Sequence, residues 1–141
     1  NQVCPPMSLD ERLDDLAFLY VGLAHGSDGR LHFNEFTQIA DHLRRWQLPS
    51  DERDVLELVD HAIKHYDADL VEKAVIRLSS SMSGRERSEV MEDLSDIALA
   101  DRKFIREEAV YIVWVARRWG IGQTNPTGSF STVLRAAWAS I

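Results

Sequence analysis

The sequence predicts an all-α protein, a single compact bundle of about seven helices with an internal pseudo-twofold repeat. Apolar residues recur every three or four positions along most of the chain, which is the period of an amphipathic helix. No segment alternates apolar and polar residues for long enough to indicate a strand. A set of residues also recurs 73 positions further along, which indicates two related units around a shared core.

Four helices are predicted in the first half of the chain, at about 9–24, 33–46, 50–66 and 68–78. A cluster of glycine, serine and aspartate at 25–29 is typical of a turn and ends the first helix. Pro49 ends the second helix, because proline cannot continue the hydrogen-bond ladder. Ser50, followed by acidic residues, resembles a helix N-cap, so the third helix is predicted to start there.

A run of serines at 79–83 is the clearest internal break, and it divides the predicted domain, residues 9–141, into repeat units of about 9–80 and 84–141. Residues 1–8 are predicted to be a flexible N-terminal segment. Three further helices are predicted at about 85–100, 106–119 and 133–141. The segment Ala109 to Ala116 is apolar on every side, which predicts that its helix lies at the centre of the bundle.

Composition narrows the class of protein. The chain has 141 residues, enough for one domain with a sizeable core. Its formal net charge of −7 argues against a nucleic-acid partner, because phosphate binding depends on clustered cations. The single cysteine, Cys4, excludes an internal disulfide and favours a reducing compartment, so a cytoplasmic location is predicted.

The apolar runs are shorter than the roughly 20 residues that cross a bilayer, so no transmembrane segment is predicted. Peripheral membrane contact stays open, as does the oligomeric state. No signal segment opens the chain, and its first residue is Asn rather than Met, which fits a processed chain or a piece of a larger protein.

Acidic residues at fixed spacing are part of the repeat. Asp28 and Glu35 recur as Asp101 and Glu108. In a calcium loop of the EF-hand type, Asp28 would occupy the fifth position and Glu35 the twelfth, with Gly29 at the sixth. The first half of such a loop is missing, so one loop alone would bind a cation weakly.

A divalent cation shared by both units is therefore the first hypothesis, with Asp28, Glu35, Asp101 and Glu108 as ligands. Calcium binds six to eight oxygens, so four converging carboxylates would need backbone carbonyls and water to complete the shell. Calcium or magnesium is favoured over zinc. The alternative is that the two glutamates only cap their helices. The expected cap at the second helix start is Ile105, whose side chain has no oxygen, which disfavours capping alone.

These repeated residues resemble the TerB family of bacterial tellurite-resistance proteins and the TerB-like domains fused to other modules, including membrane-anchored J-domain co-chaperones. The resemblance covers the chain from the first helix to Ile121. It implies an all-helical, internally symmetric bundle, a divalent metal on two helix-start loops, and a role in stress response or as an interaction module. No enzymatic reaction is implied. By position, the implied ligands are Asp28, Glu35, Asp101 and Glu108, and Arg102 stands where a glycine would be usual.

Other groups of residues indicate a functional site less strongly than the four acids do. Glu57, His61 and His65 are spaced one helical turn apart and could ligate zinc, but the neighbouring charges favour a solvated polar face. Nucleophilic catalysis has little support, because Cys4 has no adjacent histidine and the serines lack a strand and tight turn. The protein is therefore predicted not to be an enzyme.

Two functional hypotheses follow. The first is a stress-response domain of the tellurite-resistance type that binds a divalent metal through the four acids. The second is a metal-free helical interaction module of a larger protein, such as a co-chaperone, that holds a protein partner in an apolar groove near the C-terminal helix. A protein partner is expected under both hypotheses.

Overall fold

The computed structural model describes residues 9–28, 33–100, 106–121, 130, 132, 133 and 135. The described residues form six helices and no strand, which confirms the all-α class. The helices are α1 (Leu9–Asp28), α2 (Phe33–Trp46), α3 (Val55–Lys64), α4 (Ala68–Ser81), α5 (Gly84–Ala100) and α6 (Arg106–Arg118). The predicted seventh helix lies mostly outside the described residues. Within the described part of the chain, no helix combines the length and apolar character needed to span a bilayer.

Helix α1 lies at the centre of the bundle and contacts each of the other five helices. Its residues Leu19, Tyr20 and Val21 are fully buried. The prediction that α6 would be central is wrong, because Val110 on α6 is 57% exposed. Helix α6 buries one side, including Ile112 and Val115, while Val110 faces solvent and Trp114 is only partly buried. Apolar composition therefore did not distinguish the surrounded helix from the peripheral one.

Three predicted helix boundaries are corrected by the structure. Helix α1 continues through the expected turn to Asp28. Helix α3 begins at Val55 instead of near Ser50, because the side chain of Asp54 accepts a hydrogen bond from the amide of Leu56 and forms the N-cap. Helix α4 continues into the predicted serine break and ends at Ser81.

The start of α5 is a capping box. The amide of Glu86 donates to Ser83 Oγ at 3.2 Å, and the amide of Ser83 donates to Glu86 Oε1 at 2.9 Å. These two bonds satisfy backbone donors that the helix itself leaves unpaired. The break between α4 and α5 is therefore a short, defined connection at residues 82–83.

The repeat is visible in the helices. At an offset of 73 residues, α1 corresponds to α5 and α2 corresponds to α6. The contacts are reciprocal, since α1 packs against α6, α2 packs against α5, and α1 and α5 pack against each other. Helices α3 and α4 connect the two hairpins and cover α1. The shared core is thus built mainly from two equivalent helical hairpins.

Candidate functional site

The direction of α1 relative to α5 decides where the two acidic segments lie. Arg12 of α1 contacts Glu86 of α5 at 2.7 Å, and Tyr20 contacts Asp93 at 2.6 Å. From the first contact to the second, the chain advances in the same direction along both helices, by about 11–12 Å at the usual rise of 1.5 Å per residue. Helices α1 and α5 run parallel, and both end at the same end of the bundle. The starts of α2 and α6, which follow them, lie near that end.

Glu35 and Glu108 are the third residues of α2 and α6, and both are buried, with exposed fractions of 5% and 6%. One turn further along each helix is a fully buried isoleucine, Ile39 in α2 and Ile112 in α6. The two glutamates therefore occupy the first position of the core-facing stripe of each helix. Each also takes part in an interaction within the protein.

The burial of these two carboxylates distinguishes them from the other first-turn acids. Glu57, Asp69 and Glu107 also lie in first turns, and all three are exposed, whereas Glu86 in the first turn of α5 is half-buried and is held by its capping box. A first-turn acid interacts favourably with the helix dipole while it stays in water. Removing a carboxylate from water costs free energy unless hydrogen bonds or a cation compensate. The burial of Glu35 and Glu108 therefore requires compensating interactions, and each glutamate takes part in one within the protein.

The other two predicted ligands are described less fully. Asp28 is the last residue of α1, but its side chain lies outside the described part of the structure, as does the whole of Asp101. Among the residues that the structure describes, no three or more His, Cys, Asp and Glu side chains form a group that could hold a metal. The set of four acidic ligands stays a prediction.

The zinc alternative on α3 is not supported. Glu57, His61 and His65 are all described, and they form no metal-binding group. Helix α3 ends at Lys64 and His65 is its C-cap, whose amide still donates to the carbonyl of His61 at 3.0 Å. The rings of His61 and His65 instead lie 4.4 Å apart, centre to centre, at a tilt of 42°.

Another buried carboxylate, Asp93 of α5, joins three helices and is 4% exposed. It accepts hydrogen bonds from the hydroxyl of Tyr20 at 2.6 Å and the indole N–H of Trp46 at 2.8 Å. His42 Nδ1 lies 3.0 Å from its Oδ1, and the guanidinium of Arg45 donates to the same oxygen. We call Asp93 with these four partners the Asp93 cluster.

The Asp93 cluster shifts the ionisation of its members. Burial alone would raise the pKa of Asp93, but hydrogen bonds from His42, Tyr20 and Trp46 outweigh it and hold the pKa below its usual value. The ionised carboxylate therefore stabilises the fold at neutral pH, and this contribution is lost as the pH falls through the lowered pKa. Burial, followed by the charge of Asp93, raises the pKa of Tyr20 well above its usual value.

The raised pKa of Tyr20 predicts a loss of stability in alkali. The folded protein holds the phenol neutral, so its contribution is complete below the unfolded pKa of about 10 and is lost as the pH rises further. We expect the free energy of unfolding to fall by about 1.4 kcal/mol per pH unit above that point from this tyrosine. Urea unfolding between pH 8 and 11 measures it. The Tyr20→Phe variant should show a shallower decline, and an unchanged decline would contradict the assignment.

The Asp93 cluster was not predicted from the sequence, although two features of the sequence point to it. Asp93 lies among the apolar residues Met91 and Leu94, on a segment predicted to face the core. Tyr20 and Asp93 are also separated by the repeat offset of 73, so an internal symmetry axis would bring them together. A buried acid at a position equivalent to a buried tyrosine predicts a hydrogen bond between the two.

One family of known proteins matches most of this chain. No curated protein and no solved structure gives a significant match. The family model described as tellurite resistance protein TerB matches residues 15–126, which is well over half of the chain and includes all four predicted acidic ligands. The chain belongs to the TerB family.

Proposed function

We propose that this protein is a non-enzymatic stress-response domain of the tellurite-resistance type that binds a divalent cation at the end of the bundle where α2 and α6 begin. The observation that carries the proposal is the burial of Glu35 and Glu108 at equivalent positions of the two hairpins. A cation between them would add to the interactions that each glutamate already makes and would further offset the cost of placing two carboxylates out of water. Family membership supports the tellurite-resistance part of this assignment.

The donor chemistry fits a hard cation. Glu35 and Glu108 supply carboxylate oxygens, which are the ligands that calcium and magnesium prefer. Helices α1 and α5 both end nearby, and the last carbonyls of a helix are unpaired and carry partial negative charge. Asp28 and Asp101 would complete the set. The bound cation would supply positive charge that ties the two hairpins together.

Isothermal titration with calcium, magnesium and zinc chloride tests this proposal. We expect calcium or magnesium to bind the wild type, and Glu35→Gln and Glu108→Gln to weaken binding by about tenfold or more, since each removes a charged ligand. Glu107→Gln is the matched control. It removes the same charge from the adjacent residue in the same turn, but Glu107 is exposed, so its affinity should stay close to that of the wild type.

A thermal shift provides a second readout. A cation that binds only the folded state adds about 2.7 kcal/mol of stability at a hundredfold excess over its dissociation constant. Wild-type protein that binds none of the three cations would contradict the proposal. That result would favour the metal-free interaction module, whose predicted groove near the last helix lies mostly outside the described residues.

A further inference from the structure

The contact between α1 and α6 is unusually close at one point. The hydroxyl of Tyr111 on α6 donates a hydrogen bond of 2.6 Å to the backbone carbonyl of Leu19 on α1. A Cβ atom placed on Gly22 of α1 would lie only 2.7 Å from the Tyr111 hydroxyl oxygen. Because Gly22 has no side chain, the Tyr111 hydroxyl fits against α1, and its hydrogen bond joins the two helices at this point.

Tyr111 is close to the candidate cation site. It follows Glu108 by three residues, so the two side chains are neighbours on one face of α6, with about 5–6 Å between their Cβ atoms. Burial, followed by the nearby Tyr66, raises the pKa of Tyr111 well above its usual value. The hydroxyl therefore remains a hydrogen-bond donor throughout the neutral range.

The outer side of the first two turns of α6 is exposed to solvent. Arg106 and Glu107 are exposed, and Val110 is 57% exposed. The position of the Glu108 carboxylate therefore depends on contacts made from the inner face. Tyr111 provides the hydrogen bond from that face to α1. The equivalent residue of α2 is Gln38, so the first hairpin has no tyrosine at this position of the repeat.

We propose that Tyr111 is a positioning residue for Glu108: by joining the start of α6 to α1, it holds this carboxylate in place for the cation. The inference rests on the proposed cation-binding function. It adds that, among the described residues, the tyrosine hydrogen bond to the backbone of α1 belongs to the helix of Glu108, whereas the equivalent position in the helix of Glu35 is Gln38.

The test compares two Tyr→Phe variants of the full chain, with calcium chloride as the titrant. Tyr111→Phe removes only the hydroxyl that bonds to Leu19. Tyr20→Phe removes a hydroxyl from an equally short bond to Asp93, on α1 and in the core. We expect calcium affinity to fall about tenfold in Tyr111→Phe, as it does when groups that orient metal ligands are removed. Tyr20→Phe should lose stability while its affinity stays within about twofold of the wild type.

A second measurement needs no cation. Hydrogen exchange of the amides at residues 110–113, the first ones that bond within the helix, should be faster in cation-free Tyr111→Phe than in cation-free Tyr20→Phe, because only the first variant releases the start of α6. Calcium affinity that is unchanged in Tyr111→Phe, while the wild type binds, would overturn this inference and leave the proposed function standing. Absence of calcium binding by the wild type would overturn this inference, and absence of binding to calcium, magnesium and zinc would overturn the proposed function as well.

Discussion

Replacement of Asp93 by alanine is expected to lower the free energy of unfolding by about 3–5 kcal/mol. The variant removes one carboxylate, but it leaves the buried hydroxyl of Tyr20 and the indole N–H of Trp46 without their acceptor. Each abandoned polar group costs roughly 1–3 kcal/mol. Arg45 contributes less to this loss, because 62% of its side chain is exposed and its guanidinium can turn to water.

Urea unfolding at pH 7 measures the effect, and Glu89→Ala is the control. Glu89 lies one turn before Asp93 on α5, but it is exposed, and its ion pair with Arg85 at 3.5 Å lies in solvent. Surface pairs of this kind contribute about 0–1 kcal/mol. Equal losses in the two variants would show that the Asp93 cluster adds nothing beyond an ordinary surface charge.

Gly22→Ala should lower the free energy of unfolding by about 2 kcal/mol, even though alanine favours helix over glycine by about 1 kcal/mol. The new methyl group would displace the Tyr111 hydroxyl from its bond with Leu19. It would also lie 3.3 Å from both the Tyr111 ring and Val71, which is tighter than normal packing allows. Crowding and the lost hydrogen bond together exceed the gain in helix propensity. Thermal and urea unfolding measure the difference.

Gly84→Ala is the matched control for this variant. A Cβ on Gly84, at the first position of α5, would meet only the end of the Arg87 side chain at 3.9 Å, so we expect a small gain of about 0.5 kcal/mol. The double variant Gly22→Ala, Tyr111→Phe should lose less than the sum of its single variants, since the closest clash disappears. If the losses of the two single variants simply add, the cost of Gly22→Ala does not come from contact with the Tyr111 hydroxyl.

Much of the fold could be predicted from the sequence, because helical periodicity and the repeat are local signals. The predicted start of α3 was wrong because either of two residues could form its N-cap. Ser50 and Asp54 both resemble N-caps, and the structure uses Asp54, while Asp51 binds the guanidinium of Arg53 at 3.0 Å. Residues 25–28 resemble a turn but continue α1, which shows that turn composition alone does not end a helix.

Less of the site could be predicted. Spacing identified Glu35 and Glu108, but their burial depends on the direction of each helix face, which only packing decides. The parallel run of α1 and α5 also has no local signal, because it arises from contacts between residues 73 and 74 positions apart. The cluster around Asp93 was missed for the same reason. It combines side chains from three helices.

The pairing of Tyr20 with Asp93 also limits how the two hairpins could have arisen. Two identical hairpins associated as a homodimer would place the same residue on both sides of this contact. Two facing aspartates would repel each other, and two facing tyrosines would lack an ionised acceptor. Within a single chain, one side can be a donor and the other an acceptor. The hairpins are therefore no longer interchangeable, and a chain made from two copies of either one should assemble less stably than this protein.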